Sequence, residues 1–171
     1  MSDKLPEPWL RGPEVAIHPI ARPFLYAMTQ VREDLKFWTD GLTTEEMWAR
    51  PMGLGAIGFH IRHIGGSADR LMTYVEGGQL NEEQLAELKR EMETGQSREE
   101  LLEELDLRLL SAVAVVEALD PRTWFDPREV GRKRLPSTVG GLVTHIAEHS
   151  QRHVGAAIVT AKVVKALRGG A

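Results

Sequence analysis

Apolar residues recur at three- and four-residue steps through four long stretches of the chain. Phe24, Leu25, Met28, Val31, Leu35 and Trp38 mark the first. That spacing places one apolar stripe along a helix, here from about Ile20 to Asp40, with Gly41 as its stop. Ile57, Ile61, Ile64, Ala68, Leu71, Met72 and Val75 predict a second helix from about Ala56 to Glu76, ended by Gly77 and Gly78. Leu101, Leu102, Leu105, Leu109, Ala112, Val113 and Val116 predict a third. Ser97 followed by Glu100 is a capping box for its start, and Pro121 lies beyond its end. Val139, Leu142, Val143, Ile146, Val154, Ala157, Ile158, Ala161 and Val164 predict the last helix, from near Ser137 to about Leu167. Asn81 caps a short charged helix over Glu82 to Glu93, between the second and third. No strand pattern is found.

Four long amphipathic helices without strands predict an all-α four-helix bundle, with one short extra helix in the second-to-third connection. That long connection permits a crossover. Pro6, Pro8 and Pro13 make residues 1–19 an extended lead-in, and 20–168 read as one domain. The stretch GLTTEEMWARPMGLG reads as a loop, and Trp48 within it as a plug at a bundle end. Pro121 to Pro136 also reads as a loop, with Trp124 and Phe125 packed over a bundle end.

The 171 residues can bury a core without disulfide staples. A formal net charge of -4 argues against nucleic acid as a partner. The most basic run, Arg128 to Arg134, contains Glu129 and reads as a solvated loop. No apolar run approaches the roughly 20 residues of a membrane span, and the polar, proline-rich start does not resemble a secretory signal. The chain has no cysteine. Any bound metal must then use nitrogen or oxygen donors, and a cytoplasmic location is expected.

Chemistry concentrates in the histidines. Of six, His60 and His63 fall on the second helix and His145, His149 and His153 on the last. His18 stands alone and reads as structural or surface. The i, i+4, i+8 series in THIAEHSQRH is informative. Four residues rise about 6 Å and turn about 40° past a full circle, so neighbours can share an ion. Eight residues rise about 12 Å, too far for metal–nitrogen bonds of about 2.0–2.1 Å. The last helix can therefore give two ligands, and a facing helix must give the third. On a helical wheel all five histidines lie to the same side of their apolar stripe. His60 and His153 are nearest its centre, while His63 and His145 are furthest. The wheel predicts one inter-helical site and leaves His60 and His63 both open.

Two other readings compete. Histidines beside an apolar stripe can be hydrogen-bonded core residues without a metal. HIAEH, from His145 to His149, also matches the inverted zinc-peptidase pattern H-x-x-E-H, in which Glu148 would activate water. That pattern calls for a further acidic ligand, and no acidic residue follows Glu148.

Beyond spacing, THIAEHSQRHVG in the last helix, with STVGG at its entry, resembles the DinB-like superfamily. So do AIGFHIRHIGGS in the second helix and WARP before it. The resemblance spans roughly residues 20–165. It implies a four-helix bundle with a three-histidine site for zinc, nickel or a similar ion. The ligands then fall on His63, His149 and His153. His145 is then the odd histidine of the last helix, and His60, His145 and Glu148 are expected to back the ligands or line the pocket. Arg152 stands where many relatives carry a second histidine, and Ala156 where glutamine is frequent. The family includes S-transferases and isomerases that use small thiols, and members with no established activity.

Three neutral imidazoles leave the charge of a divalent ion uncompensated, so it would lower the pKa of a bound water or thiol. With no cysteine in the chain, the thiol would be a low-molecular-weight one. The leading expectation is a metal-dependent, S-transferase-like enzyme acting on a small-molecule substrate or thiol. A metal-dependent hydrolase and a non-enzymatic, stress-related metal-binding bundle are the alternatives. No catalytic residue beyond the ligands is assigned. Tyr74 and Arg70 read as surface or bundle-end packing rather than pocket residues. An exposed helical face would suit a homodimer.

Overall fold

The computed structural model describes residues 5–169. Its long helices are α1 (Arg22–Trp38), α3 (Ile57–Val75), α5 (Arg98–Ala118) and α6 (Val139–Arg168). Two short ones lie between them, α2 (Thr44–Trp48) and α4 (Glu82–Arg90). Side-chain caps start most of them. Thr43, Asn81 and Ser97 each accept from the backbone N–H three residues on, and Glu46, Gln84 and Glu100 return the bond. Thr138 accepts from Gly141 N at 3.0 Å to open α6. Such caps satisfy backbone donors that a helix start leaves without partners.

The apolar stripes meet in one core. Phe24, Met28, Val31 and Leu35 come from α1, and Ile57, Ile61, Ile64 and Val75 from α3. Leu101, Leu105 and Leu109 come from α5, and Val139, Ile146, Val154 and Ala161 from α6. α1 and α3 each pack against both α5 and α6, so α1 faces α3 only across the bundle diagonal. The crossovers therefore lie in the α1-to-α3 and α5-to-α6 connections. The α3-to-α5 connection, where the spare length suggested one, joins neighbours.

Three stretches depart from the sequence reading. Residues 1–4 of the expected lead-in lie outside the described residues, and Pro8–Leu10 form a 3-10 turn. The loop before α3 contains α2, anchored by the fully buried Met47. The expected loop from Pro121 to Pro136 holds a 3-10 turn and an antiparallel hairpin, β1 (Pro127–Val130) with β2 (Leu135–Thr138). Pro127 pairs with Thr138 and Glu129 with Pro136. Four residues per strand are too few to show alternation, and proline demotes a strand reading. Gly131 and Arg134 bracket the turn in left-handed conformations.

Trp124 and Phe125 part company. Phe125 is exposed, contrary to expectation, while Trp124 lies on α6, where Gly140 leaves it room. Trp48 does sit at a bundle end, against Gly58 at the start of α3: its indole donates to Gln96 O at 2.8 Å, and Arg62 lies 4.9 Å over its ring.

A Cβ on Gly140 would fall 2.2 Å from Trp124 Nε1, so the indole must move. Gly140→Ala is expected to cost about 1–3 kcal/mol by overpacking, against a helix-propensity gain of about 1 kcal/mol. A urea-unfolding midpoint above that of the parent would contradict the contact.

Candidate metal centre

Each of the five helical histidines sits one residue before a buried position: His60 before Ile61, His63 before Ile64, His145 before Ile146, His149 before Ser150 and His153 before Val154. One residue turns a helix by about 100°, so all five occupy the same flank of their stripes. Such flanks meet on one side of a helix pair only when the helices run in opposite directions. The contacts show that they do. His60 meets His153, and His63, one turn further along α3, meets His149, one turn earlier on α6.

Among the described residues, one group has a metal-holding geometry. His63, His149 and His153 each offer a ligand atom, all within 4.8 Å of one another, and the group contains no carboxylate. His63 Nε2 lies 3.0 Å from His149 Nε2. The ring of His153 lies 4.5 Å from that of His63 and 4.6 Å from that of His149, between centroids. Two nitrogens bound at about 2.0–2.1 Å to one ion stand about 2.9 Å apart at a right angle and about 3.4 Å apart at the tetrahedral angle. The observed separation falls between these, so the residues fit a divalent ion.

The environment favours neutral imidazoles. Burial pushes the His153 imidazolium down to about 4, with the charges of His63, His149 and His60 acting in the same direction. Burial and then His63 lower His149 and His60 below their ordinary value as well. Protons therefore compete weakly for these nitrogens at neutral pH.

Behind His63 stands a carboxylate that its sequence position did not announce. Glu91 Oε2 lies 2.7 Å from His63 Nδ1, and Glu91 Oε1 accepts from Arg70 at 2.6 Å. Burial works to raise the Glu91 carboxyl, but hydrogen bonds from His63 and Arg70 outweigh it and hold it below its ordinary value. An ionised carboxylate only accepts. The proton of His63 thus sits on Nδ1, and Nε2 is the nitrogen left for an ion. Arg70 and Tyr74, expected at the surface or in end packing, are both buried, and Arg70 serves this carboxylate. Gly66 makes the approach possible, since a Cβ there would fall 2.8 Å from Arg70 Nη1. Phe59 stacks on the other side of His63, with centroids 5.5 Å apart and planes 23° apart.

The remaining candidates lie outside the group. His145 is half exposed, with its ring 5.4 Å from that of His149 and its Nδ1 3.5 Å from Glu148 Oε2. Glu148 is exposed and bound to Arg152, which holds its carboxyl below the ordinary range. His60 is buried against His153. His18 is exposed, and its Nδ1 accepts from Ile20 N at 3.3 Å.

Compared with known proteins, residues 27–157 match the family model described as the DinB superfamily. No curated protein matches the chain. No helix among the described residues is long and apolar enough to cross a membrane.

Two outcomes are expected from this geometry. Glu91→Gln keeps an acceptor for His63 but removes the charge, and should weaken zinc binding roughly 10- to 100-fold in a chelator competition; unchanged affinity would remove Glu91 from the centre. The second concerns the metal-free protein. His153 is pushed from 6.5 to about 4 in the fold, so between those values the unfolded chain binds more protons than the native one. Stability is then full above pH ~6.5 and falls as the pH drops toward ~4. Chelator-treated protein should unfold at lower urea at pH 5 than at pH 7.5, with a smaller difference in His153→Phe. A midpoint that rises on acidification would contradict this.

Proposed function

This chain belongs to the DinB superfamily, and on that premise we propose that it is a metal-dependent enzyme that activates a low-molecular-weight thiol for transfer to a small electrophile. The observation that carries the reading is the donor set: three imidazoles, no carboxylate among them, and no cysteine anywhere in the chain. His63, His149 and His153 would hold the ion, and imidazole donors suit zinc and nickel alike. A divalent ion held there would supply Lewis acidity and deprotonate a coordinated thiol outright.

The chain's own residues orient the site. Glu91 holds the His63 proton on Nδ1, away from the ion's side. Phe59 stacks on one face of the His63 ring and limits its rotation. His149 and His153 are half-buried on the α3–α6 seam, so a small molecule can reach them.

Hydrolysis draws less support. The ion would acidify a bound water as it would a thiol, but the H-x-x-E-H reading also asks for a carboxylate base beside that water. Glu148, the base of the H-x-x-E-H reading, is exposed and held by Arg152. A thiol acidified by the ion needs no such group.

The test is turnover by zinc- and nickel-loaded protein with a panel of small thiols and electrophiles, such as epoxides and activated aryl halides. The expected result is a rate that requires both metal and thiol and falls to background in His149→Ala. A rate that needs metal but ignores thiol would replace this reading with the hydrolytic one. No turnover under any combination would overturn the enzymatic reading.

A further inference from the structure

The ligand group leaves out His145 and His60, and of the five helical histidines His60 is the most deeply buried. Its Nδ1 lies 2.9 Å from His153 Nδ1. The loop before α3 closes on its other nitrogen: a Cβ on Gly55 would fall 2.6 Å from His60 Nε2. That loop is itself fixed to α6, where Thr160 donates to Gly55 O at 2.9 Å. Thr160 lies two turns beyond His153, on the same face. The ring of His60 is thus held between a backbone segment and the imidazole of His153.

Two neutral imidazoles can bond through their Nδ1 atoms in only two ways, because one must carry the proton and the other must accept it. If His60 donates, His153 carries its own proton on Nε2, and that nitrogen has no lone pair to offer. If His153 donates, its Nε2 lone pair is free and the His60 proton sits on Nε2. Only the second arrangement lets His153 serve an ion through Nε2.

We propose that His60 is a positioning residue: it accepts the His153 Nδ1 proton and so fixes His153 in the tautomer whose Nε2 can bind the ion. The inference rests on the three-histidine reading above and deepens it. It gives His153 a counterpart to the carboxylate that Glu91 supplies to His63. The two supports differ in kind. Glu91 is a charged acceptor that cannot donate, whereas His60 is neutral and could adopt either role. Holding the right tautomer at His153 therefore depends on what faces His60 Nε2, which is the Gly55 segment.

The experiment compares zinc affinity, by chelator competition, in the parent protein, His60→Leu, His60→Asn and His149→Ala. Asn places its side-chain oxygen close to where histidine has Nδ1, and can accept the same proton. Expected is a roughly 10- to 100-fold weaker affinity in His60→Leu, with His60→Asn within a few-fold of the parent. A role in packing alone would weaken both His60 variants in step with their metal-free melting temperatures. Nitrogen-15 spectra of the zinc-loaded parent give a reading independent of any variant: His153 Nδ1 should carry the proton and Nε2 should show the metal-bound shift. Parent-like affinity in His60→Leu, or a protonated His153 Nε2 in the loaded protein, overturns this inference while a weakened His149→Ala leaves the triad standing. Parent-like affinity in His149→Ala overturns the triad itself.

Discussion

The centre depends on α3 and α6 packing in opposite directions. Each carries its histidines on the flank one residue before its buried stripe. Were the two helices parallel, one set would face one side of the seam and the second set the other. The apolar stripe sets the direction. Burying an isoleucine or valine side chain contributes about 1.5–3 kcal/mol, and Ile57, Ile61, Ile64, Ile146 and Val154 are all buried here. A hydrogen bond between side chains nets only about 0.5–1.5 kcal/mol. The core therefore decides how the helices lie, and the imidazoles are carried to one another by it.

Beside His63 a buried charge meets its opposite. Arg70 and Glu91 are both buried, and their pairing offsets a desolvation cost of several kcal/mol per ion rather than adding much stability. An apolar pair of similar size would hold the fold as well. What such a pair could not do is present a carboxylate to His63 Nδ1. α4 supports this arrangement from outside the core: Gln84 donates to Asp69 and Thr73, and Arg108 holds Glu87 with two bonds.

Periodicity made the long helices legible, and the Ser97–Glu100 capping box and the Asn81 cap marked starts that the structure reproduces. Short elements were not legible, because α2 and the hairpin strands span only five and four residues. The crossovers lie in other connections than the one whose length allowed for one, because periodicity gives a stripe and not which stripe it meets. The wheel correctly read His60 as nearer the core than His63. Depth, however, does not make a ligand. The geometry groups His63 with the α6 pair because its ring lies level with both His149 and His153, a relation between two helices that one helix cannot display. Glu91 was hidden in a different way. It is one of 25 acidic residues, it was expected inside the short charged helix, and its backbone is still helical just past Arg90; its own helix does not show that this face meets His63.

That α4 has no buried residue of its own ties the centre to an element held by polar contacts rather than by the core. Releasing α4 exposes little apolar surface, so it belongs among the low-free-energy openings that precede global unfolding. Such an opening would withdraw the carboxylate from His63 while α1, α3, α5 and α6 stayed packed. The grip on an ion would then loosen and tighten on the timescale of one peripheral helix, and its residence time would be set apart from the lifetime of the bundle.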